Sequence, residues 1–314
     1  MDISIVAPVY NEEKNLERLY EKLHTVLTKV GKEFEIVFVD DGSSDQSFKI
    51  MLALKNKYKN LKIVKLKKSF GQTGALAAGI DYAHGEIIIL MDADLQHDPE
   101  DIPKFLEKMG QGYDIVSGWR KERVDPLFTR KIPSQAANWI MSKISGIKIH
   151  DFGTTFKAYR KEIIKNVKLY GQFHRFIPVL AKGHYASIAE IPIASGQRGG
   201  GKSSYNLSRT FTVFFDLIRL NFLSRFLSRP LQFFGSFGLG ISFIGVVIAV
   251  YLSYLKYAYG LALFAYRGPM FLLSVFLMLV GVQFLTLGLL GEIVVKVYYD
   301  NPNTKIYAVE EIRE

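Results

Sequence analysis

The sequence predicts an α/β domain with a mostly parallel sheet, followed by juxtamembrane amphipathic helices and two transmembrane helices. Three observations carry this. Short apolar runs alternate with segments of helical spacing as far as residue 117. Three of those runs end in loops rich in carboxylates and amides. Beyond Leu231 come two uncharged stretches, each long enough to cross a bilayer.

Ile3 to Ala7 reads as a short buried strand, leading into Pro8-Val9-Tyr10-Asn11-Glu12-Glu13. Asn11 is expected to cap the following helix, with the acidic pair in its first turn. Leu16, Leu19, Leu23, Val26, Leu27 and Val30 recur at helical spacing, and Gly31 closes the helix. Glu35 to Val39 is the second strand, ending in Asp40-Asp41-Gly42-Ser43-Ser44-Asp45; a helix follows from about Gln46 to Tyr58. Lys62 to Leu66 is the third strand, and Gly71 to Ala83 a helix of small residues. Ile87 to Met91 is a continuous apolar run, as a strand covered on both faces requires. A helix over about 101–109 and a strand over 114–117 complete the alternation.

In such sheets ligands bind beyond the carboxyl ends of the strands, at the switch in strand order. The loops Pro8 to Glu12, Asp40 to Asp45 and Asp92 to Gln96 are therefore expected to face one pocket. Asp92 and Asp94 place two carboxylates on one small loop, followed by Gln96. Their mutual repulsion is relieved by a divalent cation between them. Mg2+ or Mn2+ suits two carboxylates when substrate phosphates complete the shell. Asp40 and Asp41 have two readings: turn formers, or one carboxylate for a nucleotide base and the other for the ribose or the loop. Gly201-Lys202-Ser203 is not a phosphate loop, because no buried strand precedes Gly196 to Gly201.

The chain has 314 residues and a formal net charge of +10. That excess points to nucleic acid, a phosphorylated substrate or a membrane surface, and the apolar stretches favour the last two over nucleic acid. With no cysteine, disulfides, thiolate chemistry and cysteine zinc sites are excluded. Met1 leads almost at once into the first strand, so no cleaved signal peptide is expected.

Trp119 to Arg130 is a basic loop containing Arg120, Lys121, Arg123 and Arg130. Residues 132–144 form an amphipathic segment, either a packing helix or one lying at a membrane interface. Gln197 to Tyr205 carries three consecutive glycines between Arg198 and Lys202, and reads as a linker or as a loop closing over phosphates. Between Asn206 and Arg229, aromatics and apolar residues alternate with four arginines, the composition of a helix on an anionic membrane surface. Leu231 to Leu255 has 25 residues and no charge. At the helical rise it spans about 37 Å, against a hydrocarbon core of about 30 Å. Gly268 to Gly291 is a second such stretch. Basic residues flank the outer ends of this pair more densely than its connecting loop, so the catalytic domain and both termini are expected to be cytoplasmic. The expected division is 1–205 catalytic domain, 206–230 interfacial region, 231–295 two-helix membrane domain and 296–314 cytoplasmic tail.

Taken together, Pro8 to Glu13, Val39 to Asp45 and Asp92-Ala93-Asp94-Leu95-Gln96-His97 resemble glycosyltransferase family 2. Within it the chain is similar to the polyprenyl-phosphate hexosyltransferases of the dolichyl-phosphate mannose synthase and bactoprenol glucosyltransferase type. The resemblance covers nearly the whole chain. It implies a GT-A fold and a metal-dependent, inverting transfer of a hexose, glucose or mannose, from a UDP- or GDP-linked donor to a polyprenyl phosphate. It puts Pro8, Tyr10, Glu12, Asp40, Asp41, Asp92, Ala93 and Gln96 at the nucleotide sugar, with Asp92, Asp94 and Gln96 at the metal. Arg120, Arg130, Ser134 and Arg198 fall at the donor diphosphate and acceptor phosphate, with Lys202 beside them; Asp94, Arg120, Arg130 and Arg198 are the catalytic candidates. The chain departs from the pattern at Lys68-Ser69, where Arg-Asn is usual, at Ser204, where Lys is common, and at Thr154-Thr155, where some relatives carry an acid. Transfer to a glycan hydroxyl is the alternative. It needs a general base, whereas a lipid monophosphate is already largely anionic at neutral pH. A processive polysaccharide enzyme would show Gln-x-x-Arg-Trp, which is absent. The identity of the sugar, the prenyl chain and the assembly state, dimer or tetramer as a homo-oligomer, stay open.

Overall fold

The computed structural model describes residues 1–121, 138, 141–143, 145–167, 169, 173–182, 186–194, 230–260, 263–300 and 305–314. It divides into two compact units, Met1–Phe214 with Lys305–Glu314, and Phe215–Thr304.

The first unit is an α/β domain. In chain order it holds β1 (Ile3–Val9), α1 (Leu16–Val30), β2 (Phe34–Asp40), α2 (Ser47–Lys57), β3 (Leu61–Leu66), α3 (Gly71–Tyr82) and β4 (Ile87–Leu90). There follow a 3-10 turn (Pro99–Asp101), α4 (Ile102–Gly110), β5 (Ile115–Trp119), β6 (Lys157–Arg160), α5 (Lys161–Ile164), a second 3-10 turn (Phe173–Phe176), α6 (Ile177–Lys182) and β7 (Ile188–Pro192). After the second unit comes β8 (Val309–Arg313). The eight strands form one sheet in the order β7-β5-β6-β4-β1-β2-β3-β8.

Strand alternation sorts the core into two layers. Ile3, Ile5 and Phe38 face one side, where Leu16, Leu19 and Leu23 of α1 and Ile102 and Phe105 of α4 cover them. Val6, Val37 and Leu90 face the other, under Ala75, Leu76 and Ala78 of α3. The small residues of α3 permit this: a Cβ on Gly79 would run into the Val6 side chain. Gly31 ends α1 in the left-handed region, φ 71°, as expected.

The central strands are parallel: β1 with β2 and β4, and β2 with β3. Two strands break the expected alternation. β6 lies antiparallel between β4 and β5. β8 lies antiparallel on the outer edge of β3, so the stretch expected as a tail contributes a strand to the sheet. The cap expected at Asn11 is also not formed. α1 begins at Leu16 after Asn15, and Asn11 instead turns with φ 56°. Its Oδ1 accepts from the backbone N–H of Ser44 at 2.8 Å and of Asp45 at 3.3 Å, tying the first loop to the second.

The second unit is a pair of long apolar helices, α7 (Pro230–Tyr259) and α8 (Leu263–Asp300), with α8 broken at Arg267 just ahead of Pro269. Leu231–Tyr259 and Arg267–Val294 have the length and composition to cross a membrane. Most of their described side chains are exposed, so they are not the core helices of a soluble fold. Glycines form their seam: a Cβ on Gly238 would sit 2.6 Å from the Gly281 carbonyl oxygen. The expected interfacial segment 206–229, the glycine loop 197–205 and most of the segment 132–144 lie outside the described residues.

Candidate active site

β4, β1 and β2 are adjacent and parallel, so the loops that follow them emerge side by side. Register fixes their level: Val9 pairs with Asp40 and Val6 with Leu90. The chain proceeds from β1 to β2 and β3 on one side and reaches β4 on the other, so β1 and β4 flank the switch in strand order. All three predicted loops therefore meet at one crevice.

The first loop carries Pro8, the exposed Tyr10 ring and Glu12. The Glu12 N–H donates to Ser47 Oγ at 2.9 Å and its Oε2 accepts from Asn15 Nδ2 at 2.6 Å, so this side chain holds the loop to its own helix entry.

Geometry separates the roles of Asp40 and Asp41. The Asp41 carboxylate accepts from Phe70 N at 2.7 Å, Gly71 N at 3.0 Å and Ser69 Oγ at 2.8 Å. It anchors the entry to α3, where exposed helix N–H groups need acceptors. Asp40 is buried; its Oδ1 accepts from Ser43 N at 3.1 Å, while its Oδ2 is buried with no partner among the described residues. A buried carboxylate oxygen without a partner is an uncompensated acceptor, here at the carboxyl end of β2. Gly42, at φ 74°, closes this turn; a Cβ there would lie 2.8 Å from Ser69 N.

The third loop carries Asp92, Ala93, Asp94 and Gln96. Asp94 Oδ1 accepts from Gln96 N at 3.1 Å. Between them Leu95 adopts φ 58°, a conformation that costs a branched side chain energy and is concentrated at functional sites. Desolvation pushes the Asp92 carboxyl up from its usual value, against Thr155, Arg120, Gln72 and Lys157, which favour the anion. Asp92 is half-buried, and a carboxylate drawn partly out of water gains from a nearby cation. Among the described residues, no cluster of three or more His, Asp or Glu groups gathers to hold a metal. Two carboxylates on one loop nonetheless fit a hard divalent ion whose remaining ligands are substrate oxygens.

Behind this loop lies a buried polar layer that the sequence did not reveal. Arg120, at the end of β5, is gripped by Asp151 through Nε at 2.7 Å and Nη2 at 3.0 Å. Glu190 of β7 accepts from the N–H groups of His150 and Asp151 at 2.8 and 3.1 Å. Trp119 stacks on His150, centroids 4.4 Å apart. Lys157 of β6 is fully buried, its ammonium donating to the carbonyls of Phe152 and Thr154. Burial pushes it down to about 8, Arg120 adding to the effect and Asp151, Asp92 and Glu190 opposing it. Burial, with Arg120 nearby, likewise holds His97 neutral, its pKa lowered to about 4.

The structure thus brings Pro8, Tyr10, Glu12, Asp40, Asp41, Asp92, Ala93, Asp94 and Gln96 to adjacent strand ends, with Arg120 electrostatically linked to Asp92. Arg130, Ser134, Arg198 and Lys202 lie outside the described residues. Gln72, Thr155, Lys157, His97 and Asp151 were not singled out as site residues. They come from three parts of the chain: Gln72 from α3, His97 from the third loop, and Asp151, Thr155 and Lys157 from the stretch leading into β6.

A sequence model of glycosyl transferase family 2 matches residues 4–168. The dodecaprenyl-phosphate galacturonate synthase of Rhizobium johnstonii is 40% identical over 320 residues, covering 99% of this chain and 93% of its own. The undecaprenyl-phosphate 4-deoxy-4-formamido-L-arabinose transferase of Pseudomonas aeruginosa is 36% identical over 299 residues, covering 95% and 86%. Among solved structures, glucosyl-3-phosphoglycerate synthase from Mycobacterium tuberculosis in complex with uridine diphosphate is similar over 71% of this chain and 79% of its own, with a TM-score of 0.54 at 15% identity. The same protein in complex with Mn2+, uridine diphosphate and glucosyl-3-phosphoglycerate gives the same values. At that identity the likeness is one of fold: a mixed sheet of the GT-A type.

Proposed function

Since the chain belongs to glycosyl transferase family 2 and is a glycosyltransferase, we propose that it moves a sugar from a nucleotide-linked donor to a polyprenyl phosphate at a membrane surface. The observation that carries this reading is coverage. Relatives named for polyprenyl-phosphate products match the sheet and the two apolar helices together, not the catalytic unit alone.

In this reading Tyr10 and the unpartnered Oδ2 of Asp40 receive the base, and Asp41 holds the wall of the pocket through α3. Asp92 and Asp94, with Gln96 beside them, would hold Mg2+ or Mn2+; such an ion, when bound, offsets the charge of the leaving diphosphate. Arg120, set in place by Asp151, adds positive potential on the side of β5. Arg130, Ser134, Arg198 and Lys202 are proposed for the donor diphosphate and the acceptor phosphate, where charge-assisted bonds from arginine are strong. An acceptor phosphate oxygen attacks the anomeric carbon with inversion. The bond from that carbon to the diphosphate oxygen breaks, and the nucleoside diphosphate leaves. No proton has to be removed from the acceptor, since its second pKa is about 6. This suits a site with Thr154 and Thr155 where a base would otherwise stand.

The sequence alone suggested glucose or mannose. The relatives are named for galacturonate and for 4-deoxy-4-formamido-L-arabinose. We therefore place a uronic acid donor first, and glucose and mannose behind it. The test supplies the full-length protein with undecaprenyl phosphate and labelled UDP-galacturonic acid, UDP-glucose or GDP-mannose, and follows the label into the organic phase. Lipid-linked label from one donor, lost by about two orders of magnitude or more in Asp94→Asn, is the expected result. Asn keeps the size of the side chain and an oxygen for Gln96 N, so that variant should stay folded. Label passing only to water-soluble glycan, or none passing at all, overturns the reading.

A further inference from the structure

Asp92 stands at the end of a strand, with no backbone geometry to fix the plane of its carboxylate. Two side chains do this from outside its loop. Gln72, in the first turn of α3, brings Nε2 to 2.7 Å from Asp92 Oδ1 and to 3.3 Å from Thr155 Oγ1. Thr155, just ahead of β6, thus takes the second amide hydrogen of Gln72 and holds that amide in place. A carboxylate only accepts, an amide nitrogen only donates, and a hydroxyl does both. The two amide hydrogens of Gln72 therefore go to Asp92 and Thr155: Thr155 orients the amide, and the amide orients the carboxylate.

Both side chains are anchored. The entry to α3 is held by Asp41, and the next residue, Thr73, is buried with its Oγ1 2.8 Å from His174 Nδ1. The loop carrying Thr155 is held from below by Lys157, through the carbonyls of Phe152 and Thr154. The second and third carboxylate loops are thus joined through one turn of helix: Asp41 sets α3, α3 sets Gln72, and Gln72 sets Asp92.

We propose that Gln72 and Thr155 are a positioning pair that fixes the Asp92 carboxylate for a divalent cation and its nucleotide diphosphate. The inference rests on the donor-site reading above.

The test is Mn2+ binding to the full-length protein in detergent, read from the free-ion electron paramagnetic resonance signal with and without UDP. UDP binding without metal is measured in parallel by calorimetry. Gln72→Leu should weaken UDP-dependent Mn2+ binding about tenfold, the effect of losing one bond to a charged group, and Thr155→Val about threefold, the effect of freeing the Gln72 amide. Both should leave metal-free UDP binding and the thermal unfolding midpoint unchanged. Thr155→Ser, which keeps the hydroxyl, should restore binding, and the double variant should lose less than the product of the single losses. Parental Mn2+ binding in both single variants overturns the inference, as does an equal loss of metal-free UDP binding. A parent that binds no Mn2+ with UDP fails at the donor site itself, and the pair falls with it.

Discussion

His174 shows what a buried residue near a site does when it does not act in the reaction. It packs under α3 with its Nδ1 on Thr73 Oγ1, and burial, with Arg175 and Lys157 nearby, lowers its pKa from 6.5 to about 3. Between those values the unfolded chain binds a proton that the folded chain does not. Stability fully present above 6.5 is therefore lost as the pH falls toward 3, by about 1.4 kcal/mol per pH unit from this one group. Thermal unfolding of the parent and of His174→Gln from about pH 7 to about pH 4 should show a shallower decline in the variant; parallel declines would remove His174 from that account. Residues of this kind are not legible in a sequence. Asp92 and Asp94 are, because two carboxylates one residue apart are a local fact with a local consequence. Asp40 and Asp41 are half legible: the pair marks a polar turn, but only the position of the α3 entry decides which of them is occupied. Gln72 and Thr155 stand 83 positions apart, and nothing short of the fold joins them.

At the level of elements, legibility follows periodicity. β1 to β5 and α1 to α4 were readable because buried strands appear as apolar runs and amphipathic helices as spaced ones. β6 was not, since it is four residues long and carries Lys157 into the interior. β8 was not, since Val309-Glu310-Glu311-Ile312-Arg313 is charged, as edge strands commonly are. The apolar helices were legible by length, but their seam was not. It depends on which glycines face each other, and a Cβ on Gly281 would sit 2.5 Å from the Gly238 carbonyl oxygen and collide with Ser242 Oγ. Close backbone approach of this kind is how helices associate where lipid removes the hydrophobic drive. Gly281→Leu should therefore destabilise the hairpin by about 1–3 kcal/mol, as overpacking does elsewhere. Gly281→Ala should cost less. Detergent unfolding midpoints of the three proteins test this, and three equal values would show that the seam is not close-packed.

At the level of the whole molecule, connectivity limits the topology. The chain leaves the α/β unit at Phe214 and rejoins it at Lys305, where Lys305 and Tyr307 both contact Asp81 of α3, at 3.5 and 2.6 Å. A segment whose two ends belong to one folded unit crosses a bilayer an even number of times. A two-span topology therefore predicts the α/β unit and β8 on one side and the α7–α8 turn on the other. The chain has no cysteine, so single cysteines at Tyr259 and Asn303 report cleanly. They should react with an impermeant maleimide from opposite faces of sealed vesicles; access from one face to both would refute the two-span topology.

The place of β8 in the sheet also sets an order of events during synthesis. β3 leaves the ribosome early, yet its outer neighbour follows the apolar hairpin in the chain, so the sheet stays incomplete until both helices have been made. A chain that inserted only one helix would carry β8 to the wrong side and leave β3 with an open edge prone to pairing with other chains. In a two-span topology, completion of the sheet is therefore expected to follow insertion of the hairpin.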